Sequence, residues 1–150
     1  MKTAIVYYSQ HHGNTKKLLD AIKGASSDEI TLIDASSVSS ADLNAYDTIG
    51  FASGIYYSKF EKRVLSFAEN FTPIGKDVFF IYTCGAKKDT YTASIRKALS
   101  DKNVNILGEY GCLGFDTYGP FKLIGGIAKN HPDKDEINQA VTFYSQLHQA

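Results

Sequence analysis

The stretch Ser9-Gln10-His11-His12-Gly13-Asn14-Thr15 decides how this chain is read. It follows residues 3–8, an apolar, β-branched and aromatic run that predicts a strand. It opens residues 14–23, where Leu18, Ala21 and Ile22 fall on one helical face. Backbone N–H groups and the helix dipole favour an anion in such a strand-to-helix loop. Gly13 lets the backbone close around a phosphate, Ser9 and Thr15 offer hydroxyls, Asn14 offers an amide, and His11 and His12 add imidazoles. The loop holds no lysine or arginine, so it is a neutral nest. Such a nest suits a monoester phosphate better than a triphosphate with magnesium. The Gly-Lys-Ser/Thr of a Walker loop and the Gly-x-Gly-x-x-Gly of a dinucleotide loop are both missing. An ordinary turn with Asn14 or Thr15 as helix N-cap is the plainer reading of the same residues.

Outward from this loop, strand and helix patterns alternate. Strands are predicted over residues 29–33, 48–52, 78–82 and 105–115, and helices over 60–70, 90–101 and from 132 or 133 to 148. Residues 41–45 hold at best a short helix. Val78 to Tyr82 is almost wholly apolar, as a strand covered on both faces is. Asp133 and Glu136 have the spacing of a capping box. This alternation specifies a five-stranded parallel sheet between two layers of helices, a three-layer α/β sandwich. No repeat or linker divides it, so residues 1–150 are expected to form one domain.

Composition narrows the function. The chain has 150 residues, 43% hydrophobic and 21% charged, ordinary values for a globular domain. Lys+Arg and Asp+Glu both number 16, so no net basic field points to nucleic acid or an anionic membrane. No apolar run approaches the roughly 20 residues of a membrane span, and the N-terminus lacks a signal-peptide pattern. Cys84 and Cys112 are too few for a disulfide framework and have no metal-ligand spacing. No metal site is expected, and the location expected is the cytoplasm.

Tyr7-Tyr8-Ser9 followed by Gly13-Asn14-Thr15 resembles the FMN-phosphate loop of flavodoxins. The resemblance runs over nearly the whole chain and is of the short-chain type. It implies a flavodoxin-like sandwich with strand order 2-1-3-4-5, a fold that the general rule for such sheets pairs with FMN at the β1/β3 switch point. By that resemblance, residues 9–15 wrap the phosphate: Ser9, Gln10, His11, His12, Gly13, Asn14 and Thr15. Flavodoxins usually carry threonines where this chain has His11 and His12. The third strand and its turn are similar to the family's second cofactor loop, which implies that Ser53, Gly54, Ile55, Tyr56 and Tyr57 lie against the isoalloxazine ring. Stacking on a flat aromatic cofactor and close backbone approach fit tyrosines and a glycine there. Thr83, Cys84 and Gly85 match the third loop, whose backbone meets the pyrimidine edge. The tyrosines read equally as caps on the core.

Gly114-Phe115-Asp116-Thr117-Tyr118-Gly119-Pro120-Phe121-Lys122 begins a long glycine-studded excursion reaching Pro132. Leaving the carboxyl end of the last strand, it is expected to border the flavin pocket. No compact nucleophile or acid–base constellation is present, so no catalytic residue is assigned. The resemblance therefore implies an FMN-binding electron carrier, expected to be a monomer working with redox partner proteins. The alternative on the same fold is an FMN-dependent reductase or oxidase acting on a quinone, porphyrinogen or small molecule. A phospho-receiver domain would need carboxylates where Ser9-Gln10 and Ser53-Gly54 stand.

Overall fold

The computed structural model describes residues 1–10, 12–115 and 125–149. His11, and residues 116–124 of the long excursion, lie outside the described residues. The elements run β1 (Lys2–Tyr8), α1 (Asn14–Ala25), β2 (Glu29–Asp34), β3 (Thr48–Tyr56), β4 (Lys59–Phe60), α2 (Lys62–Phe71), β5 (Asp77–Cys84), α3 (Ala93–Ala98), β6 (Asn105–Leu113) and α4 (Lys134–Gln146).

Five strands pair in parallel in the order β2-β1-β3-β5-β6, with the short β4 paired antiparallel to β3. With β4 set aside, this is the expected order. The chain leaves β1 for β2 on one side and returns to β3 on the other, so its direction along the sheet reverses between β1 and β3. Loops at such a switch point diverge and leave a crevice at the carboxyl ends of the strands.

The strand period of two sorts the core into halves. Ala4, Val6, Ile49, Phe51, Val78 and Phe80 face Val64, Phe67 and Ala68 of α2 and Ile95 of α3. Ile5, Tyr7, Ala52, Phe79 and Ile81 face Leu18, Leu19 and Ile22 of α1 and Ala140 and Tyr144 of α4. On α1, Leu19 is the third buried apolar position, where the pattern suggested Ala21. The α4 capping box is present: Asp133 accepts from the Glu136 N–H, and Glu136 accepts from that of Asp133.

Three local expectations are corrected. Residues 41–45 form no helix; Leu43 is buried in the core and Asp42 accepts two hydrogen bonds from Asn44, an Asx turn that competes with helix. Phe60 does not begin a helix. It pairs with Ile55 in a hairpin, and α2 starts only after Glu61, whose carboxylate accepts from the Arg63 N–H. The helix expected over 90–101 is α-helical only at Ala93–Ala98, with Tyr91 in the preceding turn.

Gly50 shows how tightly β3 and β5 are fitted. A Cβ built there would stand 2.4 Å from Cζ of Phe79, a ring with no exposure. Gly50→Ala is expected to lower the free energy of unfolding by about 3 kcal/mol, because the buried ring has nowhere to move. Gly24→Ala, on exposed α1 with nothing within 4 Å, should instead gain about 0.5–1 kcal/mol. Denaturant midpoints of the two variants check both signs.

Candidate functional site

The register brings three loops together. Tyr8 pairs with Ser53 and Gly54 with Thr83, so β1, β3 and β5 end side by side. Between their loops lies a cleft. Ser9, Asn14 and Thr15 line it from the first loop, Gly54, Ile55 and Tyr56 from the second, and Thr83, Cys84 and Gly85 from the third. Gly114 and Phe115, at the end of β6, complete the wall. No charged side chain is among these residues.

The first loop is built to start a helix. Gly13 takes a left-handed φ of 65° immediately before α1, with His12 left-handed at 61°. An α-helix leaves its first N–H groups without intrahelical partners. Ser9 Oγ accepts that of Lys16 at 2.9 Å. Asn14, 6% exposed, donates from Nδ2 to the Phe115 carbonyl at 2.7 Å, while its buried Oδ1 has no partner. Thr15 and Thr83, both buried, share a hydroxyl–hydroxyl hydrogen bond of 2.9 Å across the sheet face.

That pair makes a separable prediction. Thr15→Val leaves the Thr83 hydroxyl buried and alone, at a cost of about 1–2 kcal/mol. The double variant Thr15→Val/Thr83→Val removes both hydroxyls and should cost clearly less than the two single costs added. Chemical denaturation of all four proteins reads the coupling, and strict additivity would refute it.

The second loop is a two-residue hairpin turn. Tyr57 and Ser58 both have positive φ, 49° and 66°, the signature of a type I′ turn, between the paired Tyr56 and Lys59. Tyr57 is 76% exposed at the tip. Tyr56 turns back, its ring meeting that of Tyr8 edge-on at 6.1 Å. Arg63 lies over the other ring of this pair, 5.2 Å from the centroid of Tyr8. In the third loop, the Tyr91 hydroxyl donates to the Ala86 carbonyl at 2.5 Å and its ring packs on Tyr82. Cys84 Sγ donates to the Cys112 carbonyl at 3.4 Å. Burial pushes the Cys112 thiol up to about 12, with Glu136 adding to the shift.

Nine of the expected site residues therefore meet at one cleft, and five described ones stand apart from its lining. Gln10 is exposed and donates to Ser36 Oγ at 2.9 Å. The His12 ring stacks on Phe115, centroids 4.4 Å apart. Gly13 serves as the helix cap. Ser53 is fully buried, its hydroxyl donating to the Gly54 carbonyl and accepting the Glu61 N–H at 3.0 Å. Tyr57 points to solvent. Gly114 and Phe115, not among the named cofactor residues, open the excursion expected to border the pocket, and they line this cleft. Their signal was the glycine run 108, 111, 114 in the last strand. A Cβ on Gly114 would stand 2.8 Å from Asn14 Nδ2, so that glycine admits the strut from Asn14 to the next carbonyl. The ends of the long excursion are tied here too: the Phe115 N–H donates to the His131 carbonyl at 2.9 Å, and His131 Nδ1 pairs with Glu136.

Comparison with known proteins bears on this cleft. A family model described as a flavodoxin domain matches residues 5–115. An uncharacterized protein of Methanocaldococcus jannaschii is 40% identical over 149 residues, covering 98% of this chain and 98% of that protein. Oxidised flavodoxin 1 from Bacillus cereus superposes with a TM-score of 0.71 at 16% identity, over 100% of both chains. A flavoprotein from Lactobacillus acidophilus, solved in complex with FMN, gives a TM-score of 0.57 at 19% identity, over 73% of this chain and 92% of that one. Matched over most of its length, and folded with the strand order its sequence implied, the chain belongs to the flavodoxin family.

Proposed function

We propose that this protein binds one FMN in the cleft at the ends of β1, β3 and β5 and serves as an electron carrier between redox proteins. The observation that carries the reading is the lining itself. Hydroxyls, an amide and the open end of a ten-plus-residue helix converge at one side. Backbone of two glycine-containing loops faces them from the other side. The donor set fits a phosphate monoester: neutral, with N–H groups of the first turn and the helix dipole offsetting the charge.

Ser9, Asn14 and Thr15 hold the phosphate end, with Gln10, His11, His12 and Gly13 shaping the turn around it. The locked Asn14 amide presents an orphaned carbonyl oxygen, which accepts a hydroxyl or N–H hydrogen from the ligand. Gly54, Ile55 and Tyr56 flank the ring on one side and Thr83, Cys84 and Gly85 on the other, with Ser53 fixing the β3 turn and Tyr57 at its outer tip. The flavin, when bound, supplies the redox chemistry. The protein's part is to bind it, orient it and leave an edge accessible. No helix among the described residues is long and apolar enough to cross a membrane, and the two cysteines are free thiols, which supports a cytoplasmic carrier.

The test is the absorbance of purified protein after incubation with FMN and removal of the excess. A retained, structured flavin spectrum is expected, with reduction proceeding in two separable one-electron steps. Retention with a single two-electron reduction would move the reading to a reductase, and no retention would refute FMN binding. Saturation at a hundredfold excess over the dissociation constant should also stabilise the fold by about 2.7 kcal/mol.

A further inference from the structure

Resting on the FMN reading above, we infer that the rim of the cleft over β3 and β5 is the docking face for a redox protein whose own docking face is acidic. The two loops are neighbours, because Gly54 pairs with Thr83, and both rise beside the cleft. From the first come Lys59 on β4 and, on the side of α2 that faces residues 35–39, Lys62, both exposed. From the second come Lys87 and Lys88, also exposed. None of these four lysines forms an ion pair with a carboxylate among the described residues. Exposed Glu69 of α2 shares a groove with Lys59, with Lys97 on its other wall. Glu61 is 8% exposed and already holds Arg63 at 2.8 Å, which leaves Asp89 as the exposed carboxylate of these loops.

Tyr57 stands 76% exposed at the hairpin tip, two residues before Lys59. An exposed aromatic at the edge of a cofactor cleft, set in a basic rim, has the make-up of an interface anchor with a steering field around it. The whole chain carries equal numbers of acids and bases, 16 of each. The polypeptide itself contributes no net charge, so its own part in steering a partner comes from this uneven placement. An acidic partner gains attraction here at low ionic strength, and a basic one meets repulsion.

The experiment uses FMN-loaded protein, reduced photochemically and mixed with two forms of one acceptor. Native cytochrome c is basic, and cytochrome c succinylated on its lysines is acidic. The acidic form should be reduced about tenfold faster at low ionic strength, with a rate that falls as salt screens the rim. The native form should show a flat or rising rate. Amide shifts of the oxidised protein on adding the succinylated acceptor should concentrate at residues 57–63 and 86–89, a readout independent of electron transfer. Replacing the four lysines, Lys59→Gln, Lys62→Gln, Lys87→Gln and Lys88→Gln, should remove most of the preference while FMN retention stays unchanged. Bound FMN adds the same charge to both proteins, so their difference isolates the lysines. A preference for the native form, equal rates without salt dependence, or shifts on another face would overturn the inference with FMN binding intact. A chain that retains no flavin overturns both, and is told apart at once because no coloured species is there to reduce.

Discussion

Ser9→Asp should uncouple folding from cofactor retention: the apo-protein keeps or gains stability while FMN affinity falls at least about a hundredfold. Ser9 Oγ accepts the Lys16 N–H in the opening turn of α1. An aspartate carboxylate can accept the same bond, and a negative charge near a helix N-terminus contributes about 0.3–1 kcal/mol of stability. The same carboxylate then stands where the nest is proposed to take a phosphate. Unit charges about 4–6 Å apart at an effective dielectric near 20 repel by roughly 3–4 kcal/mol, and a phosphate monoester carries more than one. Thermal unfolding of the apo-protein and FMN titration by flavin fluorescence measure the two effects separately. A variant that binds FMN like the parent would remove Ser9 and its turn from the phosphate site.

Alkali should unfold the protein cooperatively between about pH 11 and pH 12, before Tyr82 and Tyr144 are fully ionised in place. Burial raises Cys112 from 9.0 to about 12 and Tyr144 from 10.0 to about 12. Tyr82 rises to about 12 and Tyr110 moves in the same direction, again chiefly through burial. Each group holds its proton to higher pH folded than unfolded. Above about pH 9 the unfolded chain therefore binds fewer protons, and stability falls as pH rises. The contribution is present in full below the unfolded values and is lost through the folded ones. At about 1.4 kcal/mol per unit, Cys112 accounts for roughly 4 kcal/mol and Tyr144 for roughly 3 kcal/mol. Together they are comparable to the ~5–15 kcal/mol that holds a domain of this kind together. Far-ultraviolet circular dichroism should fall in one steep transition, accompanied by a step in tyrosinate absorbance from Tyr82, Tyr110 and Tyr144. Helices that persist well above pH 12 would contradict it. Cys112→Val, which takes away the larger contribution, should move the transition upward.

The elements that carry the site were legible because their signals are local. Residues 3–8 and 78–82 alternate or run apolar as strands do, and Leu18 and Ile22 mark the buried side of α1 whatever packs on it. The loop between β1 and α1 announced itself through glycine, hydroxyls and the absence of charge. Where the reading failed, two local preferences were close in energy and a distant contact decided between them. Phe60 starts a helical pattern as well as it closes a hairpin. Its N–H bond to Ser94 Oγ at 3.1 Å, and its ring against Phe80 and Tyr82, come from residues far along the chain. Leu43 likewise leaves the helical alternative for the core.

Chain order, strand and helix period, and the lysine- and arginine-free composition of the loop from Ser9 to Thr15 were thus set by the sequence alone. Each depends on neighbours within a few residues and on chain chemistry that no partner changes. Which members of the candidate set share one cleft was decided only by the tertiary structure. Ser53 and Gln10 turn to structural bonds, while Gly114 and Phe115 enter the wall. The strut from Asn14 to Phe115 spans 101 positions and the Thr15–Thr83 hydroxyl pair spans 68. Contacts of that reach follow from the register of β1, β3, β5 and β6, which is fixed only when two core faces fill at once, and no short stretch of sequence encodes it.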